Sequence, residues 1–107
     1  MPRSKYGNKV CECDGFKFHS KLERDFYLYL KGLKEAKKIH DFSMQITFRL
    51  HAGIKYKLDF QIETIAFKYR NIECKGVWTA VAKLKRKLFE ADYGPLEIHT
   101  AKEPWRL

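Results

Sequence analysis

The sequence lacks any apolar run near the roughly 18 residues that a membrane span requires. Its first ten residues, MPRSKYGNKV, have no apolar centre of the kind that marks a secretory signal. Cysteine is scarce and odd in number: Cys11, Cys13 and Cys74 include no C-x-x-C pair. A tetrahedral zinc site on Cys11 and Cys13 would need two more ligands, and His19, His40, His51 and His99 are scattered with no H-x-x-x-H spacing. These absences argue against zinc and point to a reducing, cytoplasmic setting. Internal repeats, low-complexity tracts and linkers are also missing, as is a base-reading module such as a helix-turn-helix or a zinc finger. A chain of 107 residues then reads as one domain over 1–107, with a flexible basic arm at 1–9.

Negative charge is the scarcer sign. Thirteen acidic residues stand against 22 basic ones, for a formal net charge of +9. Such a balance attracts polyanions, and nucleic acid is the leading partner.

What is present has an order. VCECDGFKF carries the Asp14-Gly15 turn signal between short alternating runs and predicts a hairpin. SKLERDFYLYLKGLKEAKK places Leu22, Phe26, Tyr29, Leu30 and Leu33 at the spacing of one helical face. FSMQITFRL, IKYKLDFQIE and IAFKYRNIECK read as three successive strands, broken at Ala52-Gly53 and at Thr64. In the middle one, Ile54, Tyr56, Leu58, Phe60 and Ile62 alternate with polar residues, which predicts one buried and one polar face. After Gly76, TAVAKLKRKLFEADY predicts a second helix, with Thr79 as N-cap and Val81, Leu84 and Leu88 on its apolar face. PLEIHT closes with a strand. Helix, three strands, helix and strand make an α/β fold, a mixed sheet flanked by helices.

The chemistry concentrates in YRNIECKGVW. Glu73 and Lys75 are two residues apart, so on a strand both leave the same face while Ile72 and Cys74 take the other. A hairpin that brings Asp59 beside Glu73 would set two carboxylates and one ammonium together. Phosphodiester hydrolysis uses those groups: Mg²⁺ held by one or two carboxylates, with a cation near the developing charge. An acidic-x-Lys triplet by itself carries little information, since chance predicts about two in such a chain. Two occur, Glu35-Ala36-Lys37 and Glu73-Cys74-Lys75, and only the second has a strand carrying Asp59 ahead of it and a basic helix after it. Upstream, SKLE fits a capping box from Ser20 to Glu23, a local role that leaves the Glu23 carboxylate free to face the sheet. Lys83, Lys85, Arg86 and Lys87, with Lys21, are the candidate DNA contacts.

A helix with SKLE, a strand with LDF, a strand with IECKG, then Trp78 and a basic helix together resemble the PD-(D/E)XK nuclease superfamily. Among its members the pattern is similar to phage endonuclease I type Holliday junction resolvases and related small phage nucleases. The similarity runs from Phe16 to the last strand. It implies a restriction-endonuclease-like core, Mg²⁺ dependence with Mn²⁺ as a substitute, and a homodimer that cuts branched DNA in the cytoplasm. By position it makes Asp59 and Glu73 metal ligands, Lys75 the catalytic lysine and Glu23 an assisting acid at the metal. Leu58 replaces the family's frequent proline, and Gln45 stands where some relatives carry another acid, as a contributor able to position water but not to act as a base.

Two other readings compete. One is a non-catalytic basic module that stacks bases on Tyr56, Phe67 and Tyr69. Their alternation is that of core residues, which weighs against it. The other keeps the nuclease but directs it to linear duplex, as in restriction or transposase-like cutting.

Overall fold

The computed structural model describes residues 10–75 and 78–100. The basic arm expected over 1–9 and the strand break expected at Gly76 lie outside the described residues. Eight elements follow in order: β1 (Cys11–Cys13), β2 (Phe16–Phe18), α1 (Lys21–Glu35), β3 (Ile39–Arg49), β4 (Lys55–Thr64), β5 (Tyr69–Cys74), α2 (Ala80–Tyr93) and β6 (Leu96–His99). A 3₁₀ turn, His51–Gly53, joins β3 to β4. None of the helices is long and apolar enough to cross a membrane among the described residues.

Local chemistry sets most boundaries. Asp14 and Gly15 both take positive φ, 52° and 82°, the requirement of a tight hairpin turn, and β1 pairs antiparallel with β2 around them. Ser20 caps α1 by accepting the Glu23 N–H at 3.1 Å, and Thr79 caps α2 by accepting the Ala82 N–H at 3.1 Å. Ala52 and Gly53 take positive φ where the chain reverses between β3 and β4.

Strands β3, β4, β5 and β6 form one mixed sheet in that order. The first three are antiparallel, whereas β5 and β6 are parallel and therefore need the α2 crossover between them. Their register places Leu96 beside Asn71 and Ile98 beside Glu73, on the face opposite to Ile72 and Cys74. The first core cluster holds Ile72 and Cys74 with Phe26, Tyr27 and Leu30 of α1. A second core holds Leu96 and Ile98 with Leu88 and Phe89 of α2. The two helices thus cover opposite faces of the sheet.

Four details depart from the sequence reading. The apolar row of β4 does not serve one face, because Phe60 and Ile62 join the α1 core while Tyr56 and Leu58 join the α2 core. The row changes sides at Asp59. In the neighbouring strand Met44 and Ile46 divide in the same way around Gln45, which has φ 51°. The ladder steps from Met44↔Phe60 to Ile46↔Leu58, skipping the pair between them. Secondly, β5 begins at Tyr69 rather than Ile65. Thr64–Lys68 closes a turn, with the Thr64 N–H donating to the Lys68 carbonyl and the Lys68 N–H donating to the Thr64 Oγ1. Thirdly, Val81 and Leu84 are exposed, and α2 buries Phe89 instead. Finally, of the three aromatics read as core residues, only Tyr56 is buried, while Phe67 and Tyr69 are 69% and 64% exposed.

Candidate functional site

The antiparallel register pairs Phe60 with Ile72, so the next step along the hairpin sets Asp59 across from Glu73. Asp59 Oδ2 accepts the Cys74 N–H at 2.9 Å, which fixes the carboxyl against the C-terminal end of β5. From the other side comes Glu23, 4% exposed at the start of α1. Its Oε2 accepts the His19 N–H at 2.8 Å, and its carboxyl stands close enough to that of Asp59 to raise the proton affinity of Asp59. Glu23 therefore serves the helix start and the acidic cluster together. A second carboxylate this close disfavours charge on Asp59, which is one reason that the Asp59 carboxyl keeps its proton.

Electrostatics follow from this crowding. Burial pushes the Asp59 carboxyl up to about 8, and the Glu23 hydrogen bond and charge push the same way, against the opposing Cys74 N–H and Lys75. Glu73, 8% exposed, is raised by burial to about 7, with Lys75 and Lys85 working against the shift and Glu23 adding to it. The Cys74 thiol, also buried, is pushed up by its desolvation and by the surrounding acids, which makes it a poor nucleophile. Lys75 follows directly on β5, and its N–H donates to the His99 carbonyl at 3.0 Å, continuing the β5–β6 pairing by one residue. The fold thus gathers Glu23, Asp59, Glu73 and Lys75, and Lys85 of α2 reaches the same field.

The other candidates are distributed differently. Lys21 is exposed in the first turn of α1. Lys83 and Lys87 are exposed on α2 and, with Trp78, Arg86 and Glu90, line a groove of about 430 Å³. Arg86 is less available than a free surface cation: its guanidinium lies 5.7 Å from the Trp78 ring centre, its Nε is 3.3 Å from Glu90 Oε1, and its Nη2 donates to the Leu96 carbonyl at 3.4 Å. Gln45 lies level with Asp59, but its Nε2 donates to the Lys17 carbonyl at 2.9 Å, so its amide ties β3 to β2 instead of joining the acids. Sequence reasoning missed the Cys74 amide and the Trp78–Arg86 stack. The first follows only from the strand register, and the second had no spacing signal to find.

Among the described residues, no group of three or more His, Cys, Asp or Glu side chains stands ready as a metal cage. A Mg²⁺ site asks for less, one or two carboxylates with water completing the shell. The donor set fits that demand, since Asp59 and Glu73 offer hard oxygen donors and the excess of acids holds protons where a cation would replace them.

The proton bookkeeping has a measurable consequence. In the unfolded chain both groups ionise near pH 4, whereas the folded chain keeps its protons up to about 8 at Asp59 and about 7 at Glu73. The stability they contribute is complete below about pH 4 and is lost as pH rises through that window. Metal-free protein is expected to melt at lower temperature at pH 8 than at pH 5. Asp59→Asn, whose amide still accepts from Cys74 and donates to Glu23, is expected to flatten this dependence and to stabilise the pH 8 state by about 1–3 kcal/mol. Thermal melts in chelator across pH check it, and a variant that melts lower than wild type at pH 8 would contradict it.

Fold and site together define an α/β protein whose mixed sheet carries an acidic cluster with an accompanying lysine at the end of its third strand. The chain belongs to the family described as Protein of unknown function (DUF1064), whose model matches residues 3–104. No curated protein matches it.

Proposed function

We propose that this chain is a metal-dependent DNA endonuclease with a restriction-endonuclease-like core, acting as a homodimer on branched DNA such as Holliday junctions. The observation that carries the reading is that Asp59, buried against the C-terminal end of β5, and Glu73 of that strand both lie within the field of Glu23 from the helix and of Lys75. A structural ion-pair cluster would balance its charges, and here three acids outnumber the neighbouring ammonium, which is the composition of a site that accepts a cation and a phosphate.

Each residue then has a part in hydrolysis. Asp59 and Glu73 would hold Mg²⁺, or Mn²⁺ in its place, and the ion would supply charge neutralisation at the phosphate and a more acidic water. The Cys74 amide keeps Asp59 aimed at the site. Lys75 positions the attacking water and offsets charge that develops on the phosphate oxygens. Glu23, at the edge of the pair, adds a third acid whose charge strengthens the hold of the site on a cation. Lys85 draws the scissile strand toward Glu73, and Lys21, Lys83 and Lys87 contact phosphates further away. Two copies would match two cuts to the two-fold symmetry of a four-way junction.

The test is a cleavage panel. Four-way, flap, nicked and linear duplex DNA are incubated with the protein in Mg²⁺, in Mn²⁺ and in chelator. Metal-dependent cutting that favours the branched substrates is expected. Equal cutting of linear duplex would leave the nuclease and remove the branch preference, whereas binding without cutting in either metal would favour a basic binding module.

A further inference from the structure

The sheet carries a second feature at the end away from the acids. Ile65, Phe67 and Tyr69 are 66%, 69% and 64% exposed around the turn between β4 and β5. Phe67 adopts φ 59°, a backbone conformation suited to glycine or asparagine, and among the described residues its ring meets that of His40 alone, with centroids 5.2 Å apart. Neither fold nor core requires an aromatic there. Lys68 lies in the same turn, and Lys37 and Lys38 lie in the turn before Ile39, which pairs with Thr64 at this end of the sheet. Asp41 is held by Lys34 and Glu63 by His40, while Lys37, Lys38 and Lys68 make no ion pair among the described residues. The patch is apolar and aromatic with a cationic rim.

Charge selects the occupant. In a two-fold contact with a second copy, the rim would meet the same rim and repel it. Nucleic acid suits both parts, phosphates against the lysines and unstacked bases against Phe67 and Tyr69. From Asp59 to Thr64 the strand runs about 17 Å at roughly 3.4 Å per residue. A DNA strand covers that distance in about five nucleotides, at about 3.4 Å each. We propose that the β4–β5 tip binds unpaired or unstacked bases about five nucleotides from the phosphate held at Asp59 and Glu73, and so selects DNA with interrupted pairing. This deepens the nuclease reading and rests on it.

The experiment uses a forked duplex with 2-aminopurine in its unpaired arm, a fully paired control, and metal-free full-length protein. Wild type is expected to quench the probe on the fork. Phe67→Ala/Tyr69→Ala is expected to lose the quenching and about 10- to 100-fold of fork affinity, while affinity for paired duplex stays within a factor of two or so. Both residues are exposed, so the melting temperature should hold; Phe67→Asn, which suits the positive φ, serves as a second variant. With Mg²⁺, cuts should map about five nucleotides from the unpaired base. Unchanged quenching and affinity in both variants would overturn the proposal, as would equal loss on paired duplex. Wild-type capture by phosphatidylserine vesicles that the variants lose would assign the patch to a membrane surface, and a dimer-to-monomer change with fork binding intact would assign it to self-contact; either overturns it. If the quenching behaves as expected but no metal supports cutting, the nuclease reading fails and base binding at the tip stands.

Discussion

Alanine at Asp59 or at Glu73 is expected to reduce metal-dependent cleavage by at least about a thousandfold while DNA binding is kept or strengthened. Asp59 and Glu73 stand one step beyond the Phe60–Ile72 pair on adjacent strands, and under the proposed function each would offer an oxygen to the same cation. Removing either halves the protein's anionic donors there, and with the ion goes the stabilisation of charge on the transferring phosphate, a contribution of several kcal/mol. Binding responds with the opposite sign, because a site with one acid fewer repels phosphate less. Alanine at Asp59 also leaves the Cys74 N–H without its acceptor, at a cost of about 1–3 kcal/mol in stability. Asp59→Asn keeps that acceptor and should be just as inactive, so the pair of variants separates lost chemistry from lost folding. Cleavage rates in Mg²⁺ and equilibrium binding in chelator, measured on the same junction, check both halves. Variants that lose binding and cleavage in parallel would point to a binding surface rather than a reaction centre.

The second large effect is expected at Lys75. Its ammonium lowers the proton affinity of both Asp59 and Glu73, which places it in the field of both. The backbone behind it is fixed by the hydrogen bond to His99, so the side chain starts from a defined point. Lys75→Met keeps most of the aliphatic stem and removes the charge, and cleavage should fall by roughly 100- to 10,000-fold with binding weakened only slightly. Lys75→Arg is not expected to restore the rate, because a planar, delocalised guanidinium does not present the compact point charge of an ammonium in the same space. Lys85→Ala should cost far less, near tenfold, since Lys85 acts on the site through its charge on Glu73. Single-turnover rates for the three variants check this ordering. A Lys75→Met protein as fast as wild type would remove the lysine from the chemistry.

Much of this was legible in the sequence because short-range rules govern it. Asp14-Gly15, Ser20 and Thr79 mark a turn and two caps through their own backbone and side-chain chemistry, and the structure has all three. The face of α1 was legible for the same reason, with Phe26 and Leu30 fully buried. The apolar Ile65 and Phe67 looked like the start of a strand because hydrophobicity alone cannot tell a covered position from an exposed turn. Val81 and Leu84 show the converse error: they satisfy a helical period, but the sheet is met by the face through Phe89, a choice made by the crossover geometry and not by the pattern. The change of sides at Asp59 was invisible because period-two alternation assumes an uninterrupted ladder, and the positive φ at Gln45 breaks it. That irregularity sits level with the acid on which the proposed site depends. Bulges and skipped pairs are common beside functional residues, where they re-aim a side chain.

The most direct measurement is anomalous diffraction from crystals of the protein soaked in Mn²⁺ at pH 8, where the carboxyls give up their protons most readily. One strong peak is expected between Asp59 and Glu73, at bonding distance from an oxygen of each. A peak bound elsewhere, or none at these two acids, would contradict the metal site.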